Sequence, residues 1–277
     1  MVRTHPAIGF IGAGAMAGFL ADGLLASGLP ADALWICNRS DDLRLRRFAD
    51  RGVHLTRDKA AVCTAVSTLF LLVKPKDAQV MLHELQGLIR PAHLMVSCMA
   101  GVPAAFIEAS LGGQPRVLRA MPNIGSAVRA SVTALAPGRY ADEADAAAAA
   151  ELLRAVGTVV PVAEGAMDAA TALFGSGPAY VYLLMEALTG AAAHLGLEGP
   201  QTAHLIVEMV LGAAQAAAAS ADAPAELRAR VSSKGGTTMA AVDVFEASGF
   251  EALVAAAVQR AAARSRELGL AWGSSPS

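Results

Sequence analysis

The sequence predicts an α/β chain in which a doubly wound, largely parallel sheet is followed by an all-helical domain. Three observations carry that reading: short apolar runs alternate with helical stretches through the first half, a glycine-rich turn follows the first run, and strand-like runs cease after about residue 162. Strand and helix in alternation imply parallel pairing through crossover helices, and hence a sheet covered on both faces.

The strand-like runs are residues 7–11, 33–37, 68–73, 94–98, 116–121, 132–136 and 158–162, apolar or β-branched and closed by Gly, Pro or Asn. Helical candidates lie between them at 15–27, 41–51, 77–88, 103–110 and 142–156. Ala-, Leu- and Met-rich helical segments then continue to the end, which places a boundary near Pro161 and gives two domains, 1–162 and 163–277. A helical domain so rich in alanine buries its apolar faces most readily against a second copy, so a homodimer is expected.

Lys and Arg number 22 against 24 Asp and Glu, a balance that gives no electrostatic ground for a nucleic-acid or membrane partner. The longest uncharged stretches, 91–107 and 169–185, are broken by Gly-Val-Pro and Gly-Ser-Gly-Pro, so neither offers a continuous apolar span. The first six residues are short and polar, unlike a secretory leader, and a cytoplasmic protein is expected. Cys37, Cys63 and Cys98 are odd in number and far apart, which suits reduced core residues. No metal-spaced Cys/His cluster is present in the sequence, and its six histidines are scattered.

The first strand runs directly into Gly12-Ala13-Gly14-Ala15-Met16-Ala17 and then a helix. This is the GxGxxG/A dinucleotide fingerprint of a Rossmann-type domain in its strand–turn–helix setting. Gly12 permits the tight turn, Gly14 lets the backbone approach a pyrophosphate, Ala17 lets the helix pack on the strand, and the helix start offers free N–H groups to the phosphates. At the end of the second strand stand Asn38, Arg39 and Ser40, where an NAD site usually places a carboxylate for the ribose 2′-hydroxyl. A guanidinium and a hydroxyl there can hold a 2′-phosphate, which favours NADPH, with NADH as the alternative; Arg39 can equally cap the next helix. Lys74 pairs with a phosphate or ends a strand, and the sequence leaves both open. Near the C-terminus, Ser232-Ser233-Lys234-Gly235-Gly236-Thr237-Thr238 leads into a helical stretch. Such a junction cradles an anion on its backbone N–H groups or serves as a plain helix cap.

Seven blocks in order and spacing resemble the pyrroline-5-carboxylate reductases: residues 9–17, 73–75, 97–102, 119–123, 175–180, 233–238 and 264–268. The resemblance covers essentially the whole chain. It implies a Rossmann domain, a helical dimerisation domain, a site where the two meet, and NAD(P)H-dependent reduction of a cyclic imine acid to proline. Family dimers intertwine through the helical domain, and many assemble further as decamers. The cofactor loop of the family falls on Gly12, Ala13, Gly14, Ala15 and Met16. Its Val-Lys-Pro turn beside the nicotinamide falls on Val73, Lys74 and Pro75, and its Ser-x-x-Ala-Gly block on Ser97, Ala100 and Gly101. The resemblance further implies that Ser233, Gly236 and Thr237 hold the substrate carboxylate, and that the Thr238 hydroxyl orients the imine nitrogen. Hydride transfer to an already protonated imine needs binding, orientation and exclusion of water more than acid–base groups.

Several positions depart from the family pattern. Ala15 stands where Asn or Gln is common, Ile124 and Gly125 replace Thr-Pro, Ala172 and Phe174 replace Gly and Ser, and Lys234 replaces the Pro of Ser-Pro-Gly-Gly. Two other readings follow from these changes: a reductase of a different cyclic imine acid, and a non-catalytic NADP-binding sensor. A β-hydroxyacid dehydrogenase would need a catalytic Lys on the long helix after Ala179, and that stretch has none.

Overall fold

The computed structural model describes residues 7–39 and 43–273. Its eight strands are β1 (Ile8–Ile11), β2 (Leu34–Cys37), β3 (His54–Thr56), β4 (Thr68–Leu71), β5 (Leu94–Ser97), β6 (Arg116–Met121), β7 (Ser131–Pro137) and β8 (Gly157–Pro161). They form one sheet in the order β3-β2-β1-β4-β5-β6-β7-β8. Helices α1 (Ala15–Ala26), α2 (Leu43–Ala49), α3 (Lys59–Ala65), α4 (Ala78–Leu85), α5 (Ala104–Leu111) and α6 (Glu143–Leu153) link them. The order reverses between β1 and β4, which is where open sheets of this kind form a crevice at the strand C-termini.

Alternate side chains of the strands feed two separate cores. Ile8, Phe10, Leu34, Ile36, Phe70 and Val96 face α1, α2 and α6, whereas Ile11, Cys37, Leu69, Leu71 and Met95 face α3, α4 and α5. Phe10 and Phe70 meet edge to face, their ring centroids 5.4 Å apart, on neighbouring strands. Gly9 lets α3 approach, since a Cβ there would lie 2.6 Å from Val62 Cγ1.

Two features differ from the sequence-based expectation. β3 and α3 were not anticipated: β3 is three residues long, its first two are exposed, and it pairs with β2 alone, so it lacks the apolar run of a buried strand. Trp35 stacks on His54 at 4.2 Å and supplies the contact that a longer apolar run would have advertised. β7 also runs antiparallel to β6 rather than parallel. Their connection holds only a short 3-10 segment, Ile124–Val128, and no crossover helix, which parallel pairing would require.

The described chain divides into two compact units, one of residues 7–176 with 260–273 and the other of 177–259. In the first, a short helix α7 (Met167–Ala170) continues into a π turn, Thr171–Gly175. The second contains α8 (Gly177–His194), α9 (Pro200–Ala218), α10 (Pro224–Val231) and α11 (Thr237–Ala247). The last helix, α12 (Phe250–Gly273), begins in the second unit and ends in the first, where Trp272 packs on Phe106 at 4.8 Å.

The second unit buries almost nothing of its own. Ala192 is its one buried apolar residue, while Leu183, Leu205, Met209, Phe245 and Leu253 each expose roughly half or more of their surface. Covering one such side chain contributes about 1.5–3 kcal/mol, so this surface calls for a partner. The thermal midpoint is therefore expected to rise with protein concentration, as for an obligate oligomer; a midpoint constant across a hundredfold dilution series would contradict this.

Burial pushes the Cys63 thiol up to about 11 and the Cys98 thiol up to about 12. Both folded values lie above the ordinary 9.0, so the stability they contribute is complete below that pH and lost as pH rises through the folded values. At pH 8 neither thiol is expected to react with a disulfide reagent until the chain is unfolded; rapid native labelling at either position would refute it.

Candidate active site

The crevice at the sheet reversal is a cleft of about 380 Å³ built from the C-terminal ends of β1, β2 and β4. Backbone hydrogen bonds lace these tips together: Gly12 N donates to the Cys37 carbonyl at 2.9 Å, and Leu72 N to that of Ile11 at 2.8 Å. Gly12 has φ +109°, and a Cβ there would lie 2.7 Å from the Leu72 carbonyl carbon, so only glycine fits this turn. Gly14 is the N-cap of α1 and carries no side-chain cap, and the space where its Cβ would stand is open to 4 Å. The first-turn amides of α1 thus face an unobstructed approach, whereas α3 and α6 are closed by Asp58 and Asp142. A glycine cradle with an uncapped helix start fits a dinucleotide pyrophosphate.

Of the residues expected around a cofactor, Gly12, Ala13, Gly14, Asn38, Arg39, Val73 and Lys74 line this one cleft. Ala15 and Met16 form the first turn of α1, with Met16 packed toward the sheet. Pro75 opens the 3-10 turn Pro75–Asp77 next to Lys74. Ala100 and Gly101 are not among the lining residues; Gly101, at φ +69°, instead receives α12, since its Cβ would lie 2.9 Å from that of Leu268. Ser40 lies outside the described residues. The sequence reading missed Lys59, Lys76, Asp77 and Glu84, which line the same cleft. Arg39 pairs with Asp77 at 3.2 Å, and Lys59 pairs with Glu84 at 3.0 Å.

In the second unit, Ser233, Gly236, Thr237 and Thr238 come together where α11 begins. Gly236 N donates to the Ser233 carbonyl at 2.9 Å and Gly235 takes φ +73°, the pattern of a type II turn with Lys234 at its second position. Gly236 is the N-cap of α11 without a side-chain cap, so the amides of the first turn are left for another acceptor. A Cβ at Gly236 would stand 2.5 Å from Ser233 Oγ, which places that hydroxyl over the helix start. Lys234, Thr237 and Thr238 are exposed.

The Met121-Pro122-Asn123 block is a clamp within the first unit. The Asn123 side chain accepts from Gly125 N at 2.9 Å and donates to the Phe174 carbonyl at 3.0 Å, while Asn123 N donates to Ser131 Oγ at 3.1 Å. Gly175 ends the π turn against Met121, whose Cε would lie 2.9 Å from a Cβ at that position. Among the described residues no group of His, Cys, Asp and Glu is placed to hold a metal ion, and no helix is long and apolar enough to cross a membrane.

A family model described as pyrroline-5-carboxylate reductase dimerisation matches residues 164–268, and one described as NADP oxidoreductase, coenzyme F420-dependent, matches residues 7–101. The pyrroline-5-carboxylate reductase of Pseudomonas aeruginosa is 40% identical over 267 residues, covering 96% of this chain and 97% of the relative. Pyrroline-5-carboxylate reductase 2 of Bacillus subtilis is 36% identical, with 94% of each chain covered. The solved pyrroline-5-carboxylate reductase of Coxiella burnetii superposes with a TM-score of 0.89 at 37% identity, covering 95% of this chain and 98% of that one. The Plasmodium falciparum pyrroline carboxylate reductase, solved with NADP bound, shares the fold at a TM-score of 0.85 and 23% identity, covering 96% and 98%. With a glycine-cradled cleft at the sheet reversal, an uncapped helix start in the helical half, and likeness from one end of the chain to the other, this chain belongs to the pyrroline-5-carboxylate reductase family.

Proposed function

We propose that the chain reduces 1-pyrroline-5-carboxylate to L-proline with NADPH. The observation that carries this reading is the cradle at Gly12 and Gly14, set in a chain that belongs to this family along its whole length. When bound, NADPH supplies the hydride that adds to the imine carbon; the imine nitrogen, already protonated, takes the electron pair of the C=N bond and becomes the amine of proline.

The chain's own residues bind and orient. Gly12, Ala13, Gly14, Ala15 and Met16 present the α1 amides to the pyrophosphate, with the positive end of the helix dipole behind them. Asn38 and Arg39, with Ser40, receive the 2′-phosphate, and Val73, Lys74 and Pro75 flank the nicotinamide, with Ala100 and Gly101 supporting the site. Ser233, Gly236 and Thr237 hold the substrate carboxylate at the uncapped start of α11. The Thr238 hydroxyl accepts from the iminium N–H and fixes the face that is reduced. The active form in this proposal is a cytoplasmic homodimer that assembles further into a decamer.

Thr238→Ala is expected to lower kcat roughly ten- to hundredfold, the range of a lost positioning hydrogen bond to a charged group, with NADP affinity changed less than twofold. Because threonine does not titrate here, the variant should lower the height of the pH–rate profile without moving its limbs. NADPH oxidation followed at 340 nm across pH checks both, and wild-type turnover in Thr238→Ala would remove that residue from the reaction.

Lys234 favours a second reading, a reductase of a different cyclic imine acid, because it adds an exposed cation to the turn that holds the carboxylate. Its position in the turn is one where proline is common. Lys234→Pro is expected to keep the fold and add about 0.4–1 kcal/mol of stability. Wild-type protein should turn over pyrroline-5-carboxylate at least as fast as the piperideine carboxylates; the opposite order, reversed by Lys234→Pro, would establish the second reading.

A further inference from the structure

The cofactor cleft holds two ion pairs that no motif announces. Arg39, just past the tip of β2, pairs with Asp77 of the turn before α4, and Lys59, the first residue of α3, pairs with Glu84 of α4. All four line the cleft together with Lys74 and Lys76. The two pairs are differently exposed: the Arg39 side chain is 66% exposed and that of Lys59 only 17%. Covering most of a lysine side chain restricts its rotamers, a cost that a surface strut would not incur, so the placement of Lys59 needs a reason beyond the single carboxylate it meets.

Charge and position supply that reason. Among the described side chains lining the cleft, Arg39, Lys59, Lys74 and Lys76 face two carboxylates, Asp77 and Glu84, which leaves an excess of two positive charges. A phosphomonoester carries about −1.5 to −2 near neutral pH, so these cations attract a 2′-phosphate over a 2′-hydroxyl, while the α1 amides face the pyrophosphate. β3 pairs in register with β2, Thr56 opposite Cys37, and Asn38 N donates to the Thr56 carbonyl at 3.1 Å. The start of α3 is thereby held beside the tip of β2, where the ribose 2′ group rests in doubly wound folds.

We propose that Lys59 is a cofactor-specificity residue whose ammonium, tethered by Glu84, joins Arg39 in binding the 2′-phosphate of NADPH. An ammonium has three donors, so Glu84 takes one and two remain for the phosphate. Glu84 is a positioning residue: it holds the lysine at the cleft wall and also offsets part of its charge. The inference rests on the reading of this cleft as an NADPH site.

The test is isothermal titration calorimetry of the full-length protein with 2′,5′-ADP and with 5′-AMP, two fragments that differ only in the 2′-phosphate. Wild-type protein should favour 2′,5′-ADP. Lys59→Gln should lose roughly ten- to hundredfold of affinity for 2′,5′-ADP while 5′-AMP stays within about twofold, and Lys59→Arg should recover most of the loss. Glu84→Gln, whose amide oxygen still accepts from the Lys59 ammonium while the competing charge is gone, should bind 2′,5′-ADP as tightly as wild type or more so. An unchanged ratio of the two affinities in Lys59→Gln, or an equal loss of both ligands, would overturn the role of Lys59 and leave the NADPH reading standing. Wild-type protein that does not distinguish the fragments would instead overturn the NADPH reading, and this inference with it.

Discussion

At Gly12 the chain leaves β1 with φ +109° and passes so close to the Leu72 carbonyl carbon that no Cβ fits between them. That contact joins the tips of two strands on either side of the point where the sheet order reverses, and it aims the start of α1 across the crevice. Were the backbone unable to turn here, α1 would start elsewhere, Gly14 would not stand open above its amides, and the tips of β2 and β4 would not share a cleft. The alternation of the strands between two cores then keeps the crevice in place, because any shift of β1 exchanges residues between an α1/α2/α6 face and an α3/α4/α5 face.

The helical half follows a different logic. Its segments are helical by composition, yet the second unit leaves large apolar residues such as Leu183 and Leu253 uncovered. A set of helices with so little buried surface of its own has too small a core to hold together alone, which is why a model for a dimerisation domain matching this stretch is physically apt. Assembly and stability are one equilibrium for such a unit.

Much of this was legible in the sequence because it depends on local pattern. The strand–glycine–helix run at residues 7–17 can be read without any partner, and so can the change in pattern after residue 162. β3 and α3 were not legible because three residues, two of them exposed, carry no period, and because what steadies them, Trp35 against His54 and β2 alongside, comes from another element. The wall residues of the cleft failed to show for a related reason. Lys59 and Glu84 are 25 positions apart, and their pairing exists only once α3 and α4 lie side by side. Arg39 could be named from the strand tip, but its tie to Asp77 could not. The turn before α11 was visible as a glycine motif, and Lys234 as its odd member; that the lysine occupies a proline-compatible corner emerged from the backbone.

The last helix leaves the second unit and returns to the first, where Leu268 lies over Gly101 and Trp272 lies on Phe106. The helical unit is therefore an insertion in the chain of the nucleotide-binding unit rather than an appendage to it, and two cuts, not one, are needed to separate them. For a chain made from its N-terminus onward, this sets an order of events. The sheet can assemble early, but the covering over Gly101 and Phe106 waits until Leu268 and Trp272 have left the ribosome. A nascent chain halted before residue 260 carries every described strand and still lacks part of the covering on its first unit.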